Sequence, residues 1–258
     1  MARRWWTWPS KARCRQCRVL QNCLVSSRAR LSNDEMAQRV VAELRDGMYV
    51  NLGFGMPLLV ANFLPTDRDV LIHTENGMIG VGPVAEPGQE DPDLVNAGKQ
   101  FVTELPGAAY FDQSLSFSMI RGRHVDVSVL GAYQVARNGD LANWVVPGER
   151  IPRVGGAMDL SVGAKRVIVM MSHVNKRGEP KLLERCTLPL TGQRCVSLVV
   201  TDLAVIEVTA AGFVLKETAP AWTPDEVAAL TGAPLLCHSE RSEESVAAGS
   251  GFLARRSE

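Results

Sequence analysis

Val167-Ile168-Val169-Met170-Met171 is the run on which the fold turns. Five consecutive apolar residues, three of them β-branched, give no amphipathic alternation. A strand of this kind is covered on both faces, as in the middle of a parallel sheet. Working outward, residues 125–130 (VDVSVL), 70–74 (VLIHT) and 48–52 (MYVNL) are further β-rich runs on the N-terminal side. Residues 196–200, 203–208 and 213–216 form a second strand group on the C-terminal side. Helical signals separate them. Met36, Val40, Val41 and Leu44 make one apolar stripe over 34–46, with Ser32 or Asn33 as N-cap and Gly47 as stop. Pro57 suits the first turn of a short helix through Phe63, and a last helix is expected over 224–230. Strands alternating with helices predict an α/β fold: an open, largely parallel sheet flanked by helices, with chemistry at the carboxyl ends of the strands. The 258 residues suffice for one large domain of this type.

Three glycine-rich stretches punctuate this pattern: 51–55 (NLGFG), 75–83 (ENGMIGVGP) and 153–159 (RVGGAMD). The first lacks the third glycine of a dinucleotide fingerprint and reads as a turn. The second follows the 70–74 strand directly. The third leads into a helix expected from Met158, so its backbone N–H groups suit an oxyanion or a phosphate, or simply close packing. Glu75 is the most informative residue, because it stands at a strand's carboxyl end, where a carboxylate is costly unless used or paired. From spacing alone it is either a catalytic acid or a carboxylate bonded to the amides of its own turn. Lys99 is either an anion-binding cation or a solvated surface charge. His73, His124 and His173 are not spaced as metal ligands and read as satisfied core or edge histidines.

Charge is unevenly spread. Residues 1–33 carry +8 with no acid, 237–258 carry −1, and the body 34–236 carries −7. An acidic body argues against nucleic acid as partner. No apolar run approaches the roughly 18 residues that span a bilayer, which excludes an integral membrane protein. Of six cysteines, three (Cys14, Cys17, Cys23) lie in the basic head, and only Cys186 and Cys195 lie in the body. Without a secretory signal these two read as free thiols in a cytoplasmic protein, and Cys14-x-x-Cys17 lacks the second ligand pair of a zinc site. Residues 1–33 and 237–258 are expected to be disordered extensions of a domain covering 34–236.

Taken together, 73–77 (HTENG), 51–57 (NLGFGMP), 93–99 (DLVNAGK), 139–144 (GDLANW), 155–160 (GGAMDL) and 188–192 (LPLTG) resemble the β subunit of class I 3-oxoacid coenzyme A transferases. The resemblance spans about 34–236 and implies a fold shared with sugar-phosphate isomerases. It further implies CoA transfer from succinyl-CoA to a 3-oxoacid through a thioester on the glutamate of the Glu-Asn-Gly motif, here Glu75. Gly156 would be the oxyanion donor, and Asn51, Asn76, Lys99, Gly155 and Ala157 would lie near substrate or CoA. Coenzyme A is then substrate and covalent intermediate, with no permanent cofactor and no metal. An α subunit would complete the enzyme, as an α2β2 assembly. Phrases such as 35–40 (EMAQRV) and 151–160 (IPRVGGAMDL) look nearest to the 3-oxoadipate-active members of aromatic catabolism, with acetoacetate as the competing acceptor. Arg123 departs from the pattern, standing where the family commonly shows glycine. Two readings of another class remain: a CoA-thioester hydrolase using Glu75, and a non-catalytic binding module on the same sheet.

Overall fold

The computed structural model describes residues 29–148 and 154–237. Val167–Met171 lies within β8 (Arg166–Met171), whose alternate side chains enter two different cores. Ile168 and Met170 pack with Met36, Val40 and Leu44 on one side of the sheet. Val167, Val169 and Met171 pack with Ile120 and Leu160 on the other. Burial on both faces is why the run shows no alternation.

Chain order gives β1 (Tyr49–Leu52), β2 (Leu71–Thr74), β3 (Met78–Val84), β4 (Val102–Tyr110), β5 (Val127–Leu130), β6 (Gln134–Ala136), β7 (Leu141–Ala142), β8, β9 (Leu182–Leu183), β10 (Val196–Thr201), β11 (Ala204–Thr209), β12 (Gly212–Thr218) and β13 (Leu235–Cys237). Ten of these form one sheet in the order β13-β12-β11-β10-β8-β5-β1-β2-β3-β4, and β7-β6-β9 form a small second sheet. The five central strands β10, β8, β5, β1 and β2 are mutually parallel. Antiparallel strands flank them on both sides: β3 and β4 beyond β2, and β11 and β12 beyond β10. The largely parallel expectation describes the middle, and the sheet as a whole is mixed.

Helix α1 (Asn33–Val41) starts at a capping box in which the Ser32 side chain accepts from the Glu35 amide and Glu35 answers the Ser32 amide. It stops five residues short of the expected 46, yet the following turns still bury Leu44. A 3-10 helix (Met56–Phe63) lies beside α1. On the opposite face, α2 (Gln113–Arg121) and α3 (Ala157–Gly163) contribute Ile120 and Leu160 to the core. Finally, α4 (Pro224–Ala229) is capped by a Thr223–Glu226 box and buries Val227.

Only 75–77 of the 75–83 stretch is a turn; from Met78 on it is strand β3. Gly80 and Gly82 of β3 are needed because β4 passes too near for side chains: a Cβ at Gly80 would come within 2.9 Å of Ala108, and one at Gly82 would strike Thr103 Oγ1. Of the expected extensions, the described parts dock on the body. Leu31 N donates to Asp202 O (2.9 Å), Arg30 pairs with Asp202 (2.8 Å), and Trp222 Nε1 donates to Ala29 O (3.1 Å). Cys237 ends β13 in register with Leu215. The rest of both segments, with Cys14 and Cys17, lies outside the described residues. Cys186 and Cys195 are free thiols. Among the described residues, no helix is long and apolar enough to cross a membrane, and no cluster of three or more His, Cys, Asp or Glu side chains could hold a metal ion.

Candidate active site

Strand β2 ends at Thr74, and the chain turns at once, with Gly77 N donating to Thr74 O at 3.1 Å. Gly77 has φ +122°, and a Cβ there would collide with the carbonyl oxygen of Phe111. Only glycine fits this corner. Phe111 N in turn donates to Gly77 O (2.9 Å), so the segment before α2 pins the turn that carries Glu75.

From this turn the Glu75 carboxylate reaches Gly155-Gly156, eighty residues on. A Cβ on Gly156 would collide with Glu75 Oε2 and lie 3.0 Å from Cδ; one on Gly155 would lie 3.4 Å from Oε1. Glycine at 156 is thus what lets the carboxylate rest on the backbone, and the Gly156 N–H donates to it. Gly155 itself turns the chain with φ +49°. The Ala157 amide is spent on Val154 O (3.2 Å), which closes the turn leading into α3.

Burial raises the Glu75 carboxyl above its ordinary value; the Gly156 amide pulls it down, and the nearby charge of Asp159 pushes it up, with a net rise. Asp159 is held by Arg121 Nε at 2.7 Å, and the Arg121 guanidinium lies 5.4 Å from the centre of the Phe117 ring. No ion pair reaches Glu75 itself among the described residues. A half-buried carboxylate with a raised pKa, one amide donor and no ion pair among the described residues has the environment in which a carboxylate can serve as a nucleophile, whereas a structural anion is ordinarily paired.

The other expected site residues surround this centre at different depths. Asn76 is exposed and donates to Val95 O (2.7 Å), tying the Glu75 turn to the 94–100 loop. In that loop Lys99 is exposed with φ +64°, its amide donating to Asn96 O (2.9 Å), while Asn96 and Gln100 bond to each other. Thr74, Asn96 and Gln100 line one small cavity of about 20 Å³, so the Lys99 loop abuts the end of β2. Asn51 is different: only 2% exposed, it sits behind the site and donates to His73. Sequence reasoning missed Gly77 as the collision point with Phe111, the whole of α2 with Ser116, Phe117 and Arg121, and Asp159. Asp112 is the signal that could have found α2, since its side chain accepts from Leu115 N as an N-cap.

A family model, coenzyme A transferase, matches residues 34–230. The B-type subunit of the 3-oxoadipate CoA-transferase of Pseudomonas putida is 55% identical over 208 residues, covering 80% of this chain and 97% of that protein. The mitochondrial succinyl-CoA:3-ketoacid coenzyme A transferase 2A of Rattus norvegicus is 48% identical over 197 residues, which is 76% of this chain but only 38% of that protein. Among solved structures, the acyl-CoA transferase YdiF apoenzyme of Escherichia coli O157:H7 superposes with TM-score 0.64 at 19% identity, over 81% of this chain and 42% of that one, a likeness of fold. With a matched span that takes in the Glu75 turn, the Gly155-Gly156 bend and all five parallel strands, this chain belongs to the coenzyme A transferase family.

Proposed function

We propose that this chain is the β-type subunit of an enzyme that moves coenzyme A from succinyl-CoA to a 3-oxoacid, with Glu75 as nucleophile and covalent carrier. The observation that carries the reading is the Glu75 carboxylate lying on the Gly156 amide with no counter-cation among the described residues. The carboxylate attacks the thioester carbonyl, forming a mixed anhydride as the C–S bond breaks and the CoA thiolate leaves. The thiolate then attacks the Glu75 carbonyl, the succinate carboxylate departs, and a glutamyl-CoA thioester remains. The 3-oxoacid carboxylate runs the same steps in reverse. No net proton moves, and each tetrahedral oxyanion meets the Gly156 N–H.

Asn76, Lys99 and Gly155 are assigned to the substrate side of this centre: Asn76 belongs to the Glu75 turn, Gly155 lies against the carboxylate, and Lys99 is in the exposed loop that Asn76 ties to the turn. Ala157 and Asn51 support it from behind, their polar groups being engaged with Val154 and His73. The Pseudomonas relative, matched over nearly its whole length, is itself one subunit of an enzyme, and the longer rat relative leaves more than half its chain unmatched. Both facts favour an α subunit as partner, in an α2β2 assembly that the family resemblance suggests, and the free thiols favour the cytoplasm. The acceptor is 3-oxoadipate or acetoacetate, and a substrate panel separates them.

The test is mass spectrometry of the denatured complex after treatment with succinyl-CoA and no acceptor. A CoA adduct is expected on the peptide holding Glu75. Steady turnover with Glu75 unmodified would end the covalent reading. Free CoA released without any acceptor would instead mark a hydrolase, and full activity from this chain alone would remove the need for the α subunit.

A further inference from the structure

A row of buried polar groups crosses the sheet beneath the Glu75 turn. Asn51 on β1 and His73 on β2 are register partners, each 2% exposed, and both side chains face α2. Asn51 Nδ2 lies 3.1 Å from the His73 carbonyl oxygen and 3.0 Å from His73 Nδ1. A carbonyl oxygen can only accept, so the Asn51 group facing His73 is its NH2, and the second hydrogen points at Nδ1. Nδ1 is therefore the bare nitrogen, and the single ring proton sits on Nε2. That proton faces Ser116 Oγ of α2 at 3.1 Å, and the Ser116 hydroxyl reaches Thr74 O at 3.4 Å. Thr74 O is the same atom that accepts Gly77 N to close the Glu75 turn. The ring also stacks on Phe111, 5.8 Å between centres and 15° between planes, and Phe111 holds the far side of that turn through Gly77 O.

We propose that His73 is a positioning residue for Glu75: a fixed neutral imidazole that links Asn51 on β1 to Ser116 on α2 and so orients the Thr74 carbonyl on which the turn closes. The proposal rests on Glu75 being the nucleophile. It assigns His73 no proton transfer, because both ring nitrogens are engaged inside the protein. Burial, which pushes the ring down to about 4, keeps it neutral over the working range. Such a chain acts on rate rather than on binding, since a carboxylate misplaced by an ångström loses about 100-fold in attack while the CoA handle still binds elsewhere.

Two measurements test it. Long-range 15N–1H spectra of the full chain should show the His73 ring neutral, with its proton on Nε2, from about pH 5 to about pH 8. In the complex with the α subunit, Ser116→Ala should slow adduct formation on Glu75 about tenfold at saturating succinyl-CoA, with KM within about twofold of wild type. His73→Asn, whose amide stands in for Nδ1 only, should lose more than His73→Gln, whose amide reaches toward Ser116 and rescues that end of the chain. A proton on Nδ1, a charged ring at neutral pH, or wild-type adduct rates in all three variants would overturn the proposal. A wild-type Glu75 that takes no adduct is a different result: it defeats the reading of Glu75, while the ring spectrum still decides the chain.

Discussion

Two corners of this sheet stand at carboxyl ends of parallel strands and hold a buried histidine lowered by burial to about 4, yet they are built to opposite purposes. At the end of β8, His173 bonds through both ring nitrogens to the hydroxyls of Thr201 (3.0 Å) and Thr231 (2.9 Å). The carboxylate there, Asp202, accepts from His173 N (2.7 Å) and pairs with Arg30 (2.8 Å), which also lies over Trp222. At the end of β2 the histidine bonds are matched as well, but the carboxylate has an amide and glycines around it and a second acid, Asp159, near it. The first corner spends its carboxylate on holding the chain together. The second keeps its carboxylate at some cost to the fold, a cost that accords with the chemistry proposed for Glu75.

Neutralising each carboxylate in turn gives the largest expected contrast. Glu75→Gln should lower CoA transfer by more than about 1000-fold, because no neighbour can carry the thioester. Its melting temperature should not fall. The Glu75 pKa is raised in the fold, so the native state binds the proton more tightly than the unfolded chain does, and stability is lost as pH rises through the folded value. A permanently neutral side chain removes that loss at neutral pH. Asp202→Asn should do the reverse, costing about 2 kcal/mol of stability by breaking the ion pair with Arg30 and replacing the charged acceptor of the His173 N–H by a neutral one, while leaving turnover of the folded enzyme within about twofold. Parallel melting curves and initial rates on the two variants check both halves.

Glycines sharpen the same comparison at the next level of effect. In Gly156→Ala the new methyl meets the flexible end of Glu75, so the carboxylate yields and the backbone does not. Transfer should drop about 100-fold, with the fold retained. In Gly77→Ala the methyl meets the Phe111 carbonyl at a backbone φ of +122°, where nothing flexible can give way. That variant should lose about 3 kcal/mol of stability as well as activity. Equal stability losses in the two would show that the Glu75 side chain is not the soft partner at Gly156.

Which parts are legible in the sequence follows from the range of the forces involved. The central strands show themselves because burial on both faces leaves a purely apolar run at 167–171, and α1 because Ser32 and Glu35 advertise a capping box. Strand β3 is hidden: its glycines answer the close passage of β4, a contact that no local pattern encodes. Strand β4 is hidden for a related reason, since Pro106 and Gly107 fall inside it and are tolerated only because it is an edge. Glu75 stands out by position alone, but its meeting with Gly156 across eighty residues enters only through the family resemblance. His73 reads as a satisfied histidine, which it is; that Ser116 completes the bond is a tertiary fact, carried by a helix that only its Asp112 cap signals in the sequence.

A smaller effect concerns the acid near Glu75. Asp159 raises the Glu75 pKa, and Arg121 offsets part of that charge from an exposed position. Removing the arginine in Arg121→Ala leaves Asp159 unopposed, so the acid limb of kcat/KM, where the attacking carboxylate becomes protonated, should move to higher pH. Asp159→Asn should move it to lower pH. Displacement of both limbs in the same direction would show that these variants act through packing on Phe117 rather than through charge.

The smallest effect belongs to Arg123, one residue beyond the Gly122 cap of α2. It has φ +62°, a left-handed conformation that follows helix ends and favours glycine, and its amide donates to Ile120 O at 3.0 Å. The departure of this position from the family's usual glycine is therefore a cost in backbone strain, not a change at either corner. Arg123→Gly should relieve it and raise stability by about 1 kcal/mol, the extra entropy of glycine in the unfolded chain offsetting part of the gain. Since α2 supplies Ser116 and Arg121 to the Glu75 corner, the variant also asks whether that helix is under tension. A higher melting temperature with unchanged kcat and an unchanged acid limb is expected, because the strain is confined to one residue at the helix end. A change in kcat would mean that the strain reaches Ser116, and the two corners would then differ in elasticity as well as in how their carboxylates are partnered.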